Sequence, residues 1–104
     1  MFKPVVWPPL SESDFAGILE YLNANWGEKV VNKFIDITES IIKQIVVNPR
    51  QFPVIHNKKK IRRCVLTKHN TMFYQNSKQQ IDILRIFDTR QNPNTLIMLN
   101  ITRI

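Results

Sequence analysis

The residues able to do chemistry are concentrated between positions 58 and 75, KKKIRRCVLTKHNTMFYQ. Six cations (Lys58, Lys59, Lys60, Arg62, Arg63 and Lys68) and His69 run there without an acid. Cations at that density hold negative charge, phosphate or carboxylate, and arginine does so through a planar fork that meets two oxygens at once. The competing reading is a solvated edge, because lysines on an edge strand discourage sheet-to-sheet aggregation. His69 is the group able to exchange a proton near neutral pH, although a histidine in a polar turn is commonly just solvated.

Two further arginines lie outside this run. Arg85 stands between Leu84 and Ile86 and needs an anionic partner, since an unpaired buried charge costs several kcal/mol. Asp82 and Asp88 are the nearby acids, and the alternative is a sheet face left open for the carboxylate of a ligand. Arg90, in DTRQNP, either holds a turn together through Asp88 or anchors something external. Cys64 has no second cysteine and no acid and histidine spaced around it, so it reads as a small strand residue and not a nucleophile. Two histidines and one cysteine supply no metal-ligand spacing, and no cofactor is implied.

These groups must be positioned by one compact core, because 104 residues leave no room for a second domain, so a single domain over 1–104 is expected. No apolar run is long enough to span a bilayer, the N-terminus lacks a secretory pattern, and the lone cysteine fits a reducing compartment, so a cytoplasmic protein is expected. The net charge of +7 is polarised. Residues 1–39 carry six acids and three lysines, whereas residues 40–104 carry twelve Lys or Arg against Asp82 and Asp88. Such a field attracts polyanions, whether nucleic acid or an acidic protein segment.

Along the chain, FKPVVW at 2–7 is a short β-prone run halted by Pro8 and Pro9. Ser11 followed by Asp14 resembles a capping box, and Phe15, Ile18, Leu19 and Leu22 form one apolar stripe, which predicts a helix over about 11–24. Trp26 and Gly27 form the turn. Val30, Val31, Phe34, Ile37, Thr38, Ile41, Ile42, Ile45 and Val46 then keep a helical period until Asn48-Pro49 ends it, so an antiparallel helical hairpin is expected. Residues 50–57 read as loop. Strands are predicted at 61–67, 71–75 and 81–87, joined as an antiparallel meander. Alternation sends Arg62 and Arg63 to opposite faces, so at most one of them reaches any single pocket. In the third strand it places Ile81, Ile83 and Phe87 on one face and Leu84 and Ile86 on the other, which suits a central strand covered on both sides. Tyr74 is expected to pack across strands. The cluster Leu96 to Leu99 is open between helix and strand.

The order β-α-α-β-β-β, with Trp7, Asp14 and Tyr21 around the first helix, Asn48-Pro49 after the second, Tyr74 on the hairpin and FDTRQNP after the last strand, resembles the RelE/ParE toxin superfamily over about residues 5–93. The resemblance implies an α+β fold, with an N-terminal strand and a helical hairpin packed on one face of a small, twisted, mainly antiparallel sheet. It also implies a type II toxin-antitoxin role, including plasmid stabilisation and growth inhibition, with a cognate antitoxin as partner. RelE-type members cleave messenger RNA on the ribosome, whereas ParE-type members inhibit DNA gyrase. Metal-free cleavage of RNA needs a group to activate the 2′-hydroxyl, cations for the developing phosphorane charge and a proton donor.

Carried over by position, the basic residue of the first sheet strand is matched by Arg62, with Arg63 beside it, and the arginine after the last strand by Arg90. The arginine expected three residues before Tyr74 is replaced by Thr71, and the tail has no tyrosine or histidine. The expectation is therefore a ParE-like toxin that docks on an essential target through Arg62, Arg63, Tyr74, Arg85 and Arg90. The alternative is a ribosome-dependent endoribonuclease using Arg62 and Arg90 with Lys68 or His69 for proton transfer. A family member without toxicity is a third reading. A homodimer or a toxin-antitoxin hetero-oligomer is implied as the assembly. Without its antitoxin the sheet is expected to expose Met72, Phe73 or Tyr74 beside the arginines, giving a protein that self-associates.

Overall fold

The computed structural model describes residues 2–88. A two-residue strand β1 (Val5–Val6) leads into helices α1 (Pro9–Trp26) and α2 (Glu28–Val47), followed by strands β2 (Val54–His56), β3 (Ile61–Thr67), β4 (Asn70–Asn76) and β5 (Ile81–Asp88). The strands form one mixed sheet in the order β1-β5-β4-β3-β2, parallel between β1 and β5 and antiparallel elsewhere. Among the described residues no helix is long and apolar enough to cross a membrane.

The prolines that halt β1 also start α1. Pro9 occupies the first turn, where its missing N–H is one the helix could not use, so α1 begins two residues earlier than the apolar stripe indicates. Ser11 is buried and donates its hydroxyl hydrogen bond to the Pro8 carbonyl at 3.0 Å, so it does not close a capping box with Asp14. Gly27 ends α1 and begins α2 with φ 87° and ψ −177°, accepting from Val31 N–H and donating to the carbonyls of Leu22 and Asn23. Only glycine adopts that backbone without strain, and it lets the hairpin turn on a single residue.

The helical hairpin covers one sheet face. Ile18, Leu22, Phe34 and Ile45 meet Cys64, Leu66, Met72, Tyr74, Ile81, Ile83 and Ile86 in the main core. Thr38 sits buried within α2 by turning its hydroxyl back to the Phe34 carbonyl at 2.9 Å. A second cluster, Ile61 and Phe73 with Ile55, Leu84 and Phe87, contains no helical residue. Phe73 lies between Met72 and Tyr74 on β4 and so points away from the helices.

Several expectations are corrected. The loop at 50–57 contains β2, which pairs with the start of β3. In β5, Ile81, Ile83 and Ile86 share the helical face while Leu84 and Phe87 share the other, contrary to simple alternation. A bulge causes this: Phe73 pairs with Arg85 but Tyr74 pairs with Ile83, leaving Leu84 as an extra residue that resets the faces. Met72, Phe73 and Tyr74 are all buried, at 0%, 1% and 0% exposure, so they form no exposed patch. The expectation that they are exposed beside the arginines is overturned.

Candidate functional site

Arg62 and Arg63 diverge as alternation requires, but with different fates. Arg62 stands opposite Tyr74 in the sheet register and turns back on the segment after α2. Its Nη1 donates to the carbonyls of Phe52 at 2.6 Å and Arg50 at 3.1 Å, and its Nε is buried with no acceptor among the described residues. Arg63, opposite Phe73, is exposed; its backbone N–H donates to the Pro53 carbonyl at 3.0 Å.

Around Arg62 opens a hollow of about 640 Å³. It brings together five cations from four segments: Lys3 before β1, Arg50 after α2, Lys60 and Arg62 at the start of β3, and Lys78 in the β4–β5 turn. Asn76 and Ser77 complete the wall, and Lys3 Nζ donates to Asn76 Oδ1 at 2.7 Å. Lys60 holds a φ of +56°, the left-handed region in which side chains other than glycine are uncommon. Sequence reading finds the lysine run and Arg62 but not their convergence with Lys3, Arg50 and Lys78, which only the sheet order creates.

Arg85 is committed inside the fold. Its Nε and Nη2 donate to Asp14 Oδ2 and Oδ1 at 2.7 and 3.0 Å, and its Cζ lies 4.6 Å from the centre of the Phe87 ring. Neither Asp82 nor Asp88 is that partner: Asp82 accepts from Gln80 Nε2 at 2.8 Å and Asp88 from Asn70 Nδ2 at 3.0 Å. An intramolecular acid thus partners Arg85, Asp14 in place of Asp82 or Asp88, and the alternative of a face left open for a ligand carboxylate is filled by this internal fork.

Tyr74 is structural as well. It is fully buried, donates its hydroxyl hydrogen bond to the Pro49 carbonyl at 2.8 Å and meets Phe52 edge-on, tying the end of α2 to the sheet. Burial pushes its hydroxyl up to about 12, partly opposed by the Arg62 guanidinium. A binding role for Tyr74 at the surface is therefore corrected. Cys64 is buried, and its thiol is pushed up to about 11 by the same cause, which leaves it a poor nucleophile.

Lys68 and His69 form the β3–β4 turn, where His69 N–H donates to Thr67 Oγ1 at 3.2 Å. They lie at the far end of the hairpin from Arg62. Six residues of strand separate Lys68 from Arg62, about 20 Å at 3.3 Å per residue. The structure thus does not bring Arg62 together with the proton-transfer candidates. Arg90 and the tail cluster lie outside the described residues. Among the described residues no group of three metal-binding side chains occurs.

The model of a family described as the ParE toxin of type II toxin-antitoxin system, parDE, matches residues 5–93. The chain belongs to this family. Among curated proteins none matches. A solved structure titled as a chromosomal ParDE system from P. aeruginosa is similar at a TM-score of 0.66 and 16% identity, covering 83% of this chain and 95% of that one. The E. coli DinJ-YafQ toxin-antitoxin complex gives 0.61 at 7% identity over 90% and 100% of the two chains. The YoeB dimer from Staphylococcus aureus gives 0.59 at 13% over 82% and 94%. At these identities the solved structures support the fold, and the family match supports the toxin-antitoxin role.

Proposed function

We propose that this ParE-family toxin acts by docking to an essential target such as DNA gyrase, and not by cutting RNA. The observation that carries this reading is the separation of Arg62 from Lys68 and His69. General acid-base catalysis requires its groups within hydrogen-bond reach of one reacting centre, and about 20 Å of strand exceeds any side-chain reach. Arg85 adds to it, because its fork is already filled by Asp14. The exposed Arg63, on the sheet face away from the helices, is open to an acidic segment of the cognate antitoxin. Two of the similar structures are titled as toxin-antitoxin systems, which supports an antitoxin partner for this chain.

The test follows translation and DNA supercoiling in parallel after induction in cells, for the native protein and for His69→Ala. Continued translation with gyrase-linked DNA damage, unchanged by His69→Ala, is the expected result. Rapid loss of protein synthesis with codon-positioned cuts in messenger RNA, abolished by His69→Ala, overturns the reading in favour of the nuclease.

A further inference from the structure

We propose that the hollow around Arg62 is a sequence-independent binding site for the phosphate backbone of a nucleic acid. Lys3, Arg50, Lys60, Arg62 and Lys78 line it, no acid does, and among the described residues none of the five is ion-paired. Arg62 meets only two main-chain carbonyls, so its positive charge is held in place without being compensated, and its buried Nε has no acceptor. Cations without ion-pair partners converging on one concavity, with Arg62 held by the main chain at its centre, suit a phosphodiester.

The lining also decides between two kinds of polyanion. An acidic protein segment gains affinity from apolar and aromatic anchors seated in pockets, with charge at the rim. Among the described residues no apolar or aromatic side chain lines this hollow, so it offers such an anchor no pocket, while five cations converge on it. For the same reason no aromatic ring among its described lining residues stacks on a base, and backbone contacts position a nucleic acid without reading its sequence. Of the five cations only Arg62 stands at a position the toxin resemblance assigns to RNA cleavage, whereas Lys3, Arg50, Lys60 and Lys78 do not, so the site is one of attachment. It stands whether or not the docking reading above holds.

The experiment measures binding of the purified protein to labelled 20-nucleotide single strands and 20-base-pair duplexes by fluorescence anisotropy, over a salt series. Arg50, Lys60 and Lys78 are exposed, so the variant R50Q/K60Q/K78Q removes charge from the hollow without opening the core. Its melting curve, matched to the native protein, checks the fold. A control, K29Q/K33Q/K43Q, removes the same charge from exposed positions of α2. The hollow variant is expected to lose about 2–3 from the magnitude of the slope of log K against log salt and at least about tenfold in affinity at low salt. The control should change little. Equal losses in both variants, absence of nucleic-acid binding by the native protein, or competition by polyglutamate as effective per charge as DNA would each overturn the proposal.

Discussion

Asp14 on α1 grips Arg85 on β5 through both carboxylate oxygens, and the same Oδ2 also accepts the backbone N–H of Ile86 at 3.1 Å. The third bond explains why the acid stands there. Among the described residues β1 pairs with β5 only at Ile81 and Asp82, so β5 runs on beyond its short neighbour. Asp14 takes over where β1 stops. One side chain thus takes a backbone donor of β5 beyond the end of β1, neutralises a cation and fixes α1 against the sheet.

Replacing Asp14 with alanine leaves both the guanidinium and the Ile86 N–H without their acceptor. The pair is mostly covered, at 19% and 14% side-chain exposure, and breaking it is expected to cost about 2–4 kcal/mol, somewhat below a fully buried pair. For a domain of this size that lowers Tm by about 10–20 °C. A thermal melt of Asp14→Ala within 3 °C or so of the native protein, against a scale of about 4–8 °C per kcal/mol, defeats this account of Asp14.

The two glycines should respond oppositely to alanine. Gly17 lies within α1 and a Cβ there meets nothing within 4 Å, so Gly17→Ala is expected to stabilise by about 0.5–1 kcal/mol. Gly27 has equal space but a φ of +87°, so Gly27→Ala is expected to destabilise by about 1–3 kcal/mol. Urea titrations of the two variants check the signs.

Alkaline stability follows from two buried acids. Cys64 is raised from 9.0 to about 11 and Tyr74 from 10.0 to about 12, both by burial. A group with a raised folded-state value stabilises fully below its unfolded value and loses that contribution as pH climbs through the folded one. Unfolding free energy is therefore expected to fall from about pH 9, with the Tyr74 share lost between about 10 and 12. Tyr74→Phe should flatten the upper part of that decline, at the cost of about 1 kcal/mol at neutral pH for the lost bond to Pro49. A decline equally steep in Tyr74→Phe and the native protein removes the tyrosine from the explanation.

The Cys64 thiol should be unreactive while the chain is folded. It is fully buried and largely protonated below its raised value, so a thiol reagent at neutral pH is expected to label it only in denaturant. Prompt labelling of the native protein contradicts this burial.

Both helices and β3 to β5 are legible in the sequence because their signals are local: a 3.6-residue stripe in α2, a stop at Asn48-Pro49, polar turns between β-prone runs. What escaped depends on residues far apart. Asp14 and Arg85 are 71 positions apart, and at short range Asp14 looks like a cap and Arg85 like a neighbour of Asp82 or Asp88. The Leu84 bulge is invisible because alternation assumes one residue opposite one, and β2 is three residues long with a proline beside it. For the candidate site, the basic character of Arg62 and its neighbours could be read directly. The packing of Tyr74 is legible too, whereas the pairing of Arg85 with Asp14, and the convergence of Lys3 and Lys78 on Arg62, follow only from the sheet order.

That order also sets a schedule for synthesis. Of the described strands β1 leaves the ribosome first, yet its partner among them is β5, with Val5 against Ile81. At about 5–20 residues per second, the first strand waits on the order of 4–15 s before its partner exists. The hairpin α1–α2 can form in the meantime, but its apolar side has no sheet to cover until β3, β4 and β5 follow. A nascent chain cut short before position 81 therefore lacks both the strand that seats its N-terminus and Arg85, the cation to which Asp14 is fastened. Interrupted translation should therefore yield fragments without the finished sheet, so that the folded toxin arises only once β5 has been made.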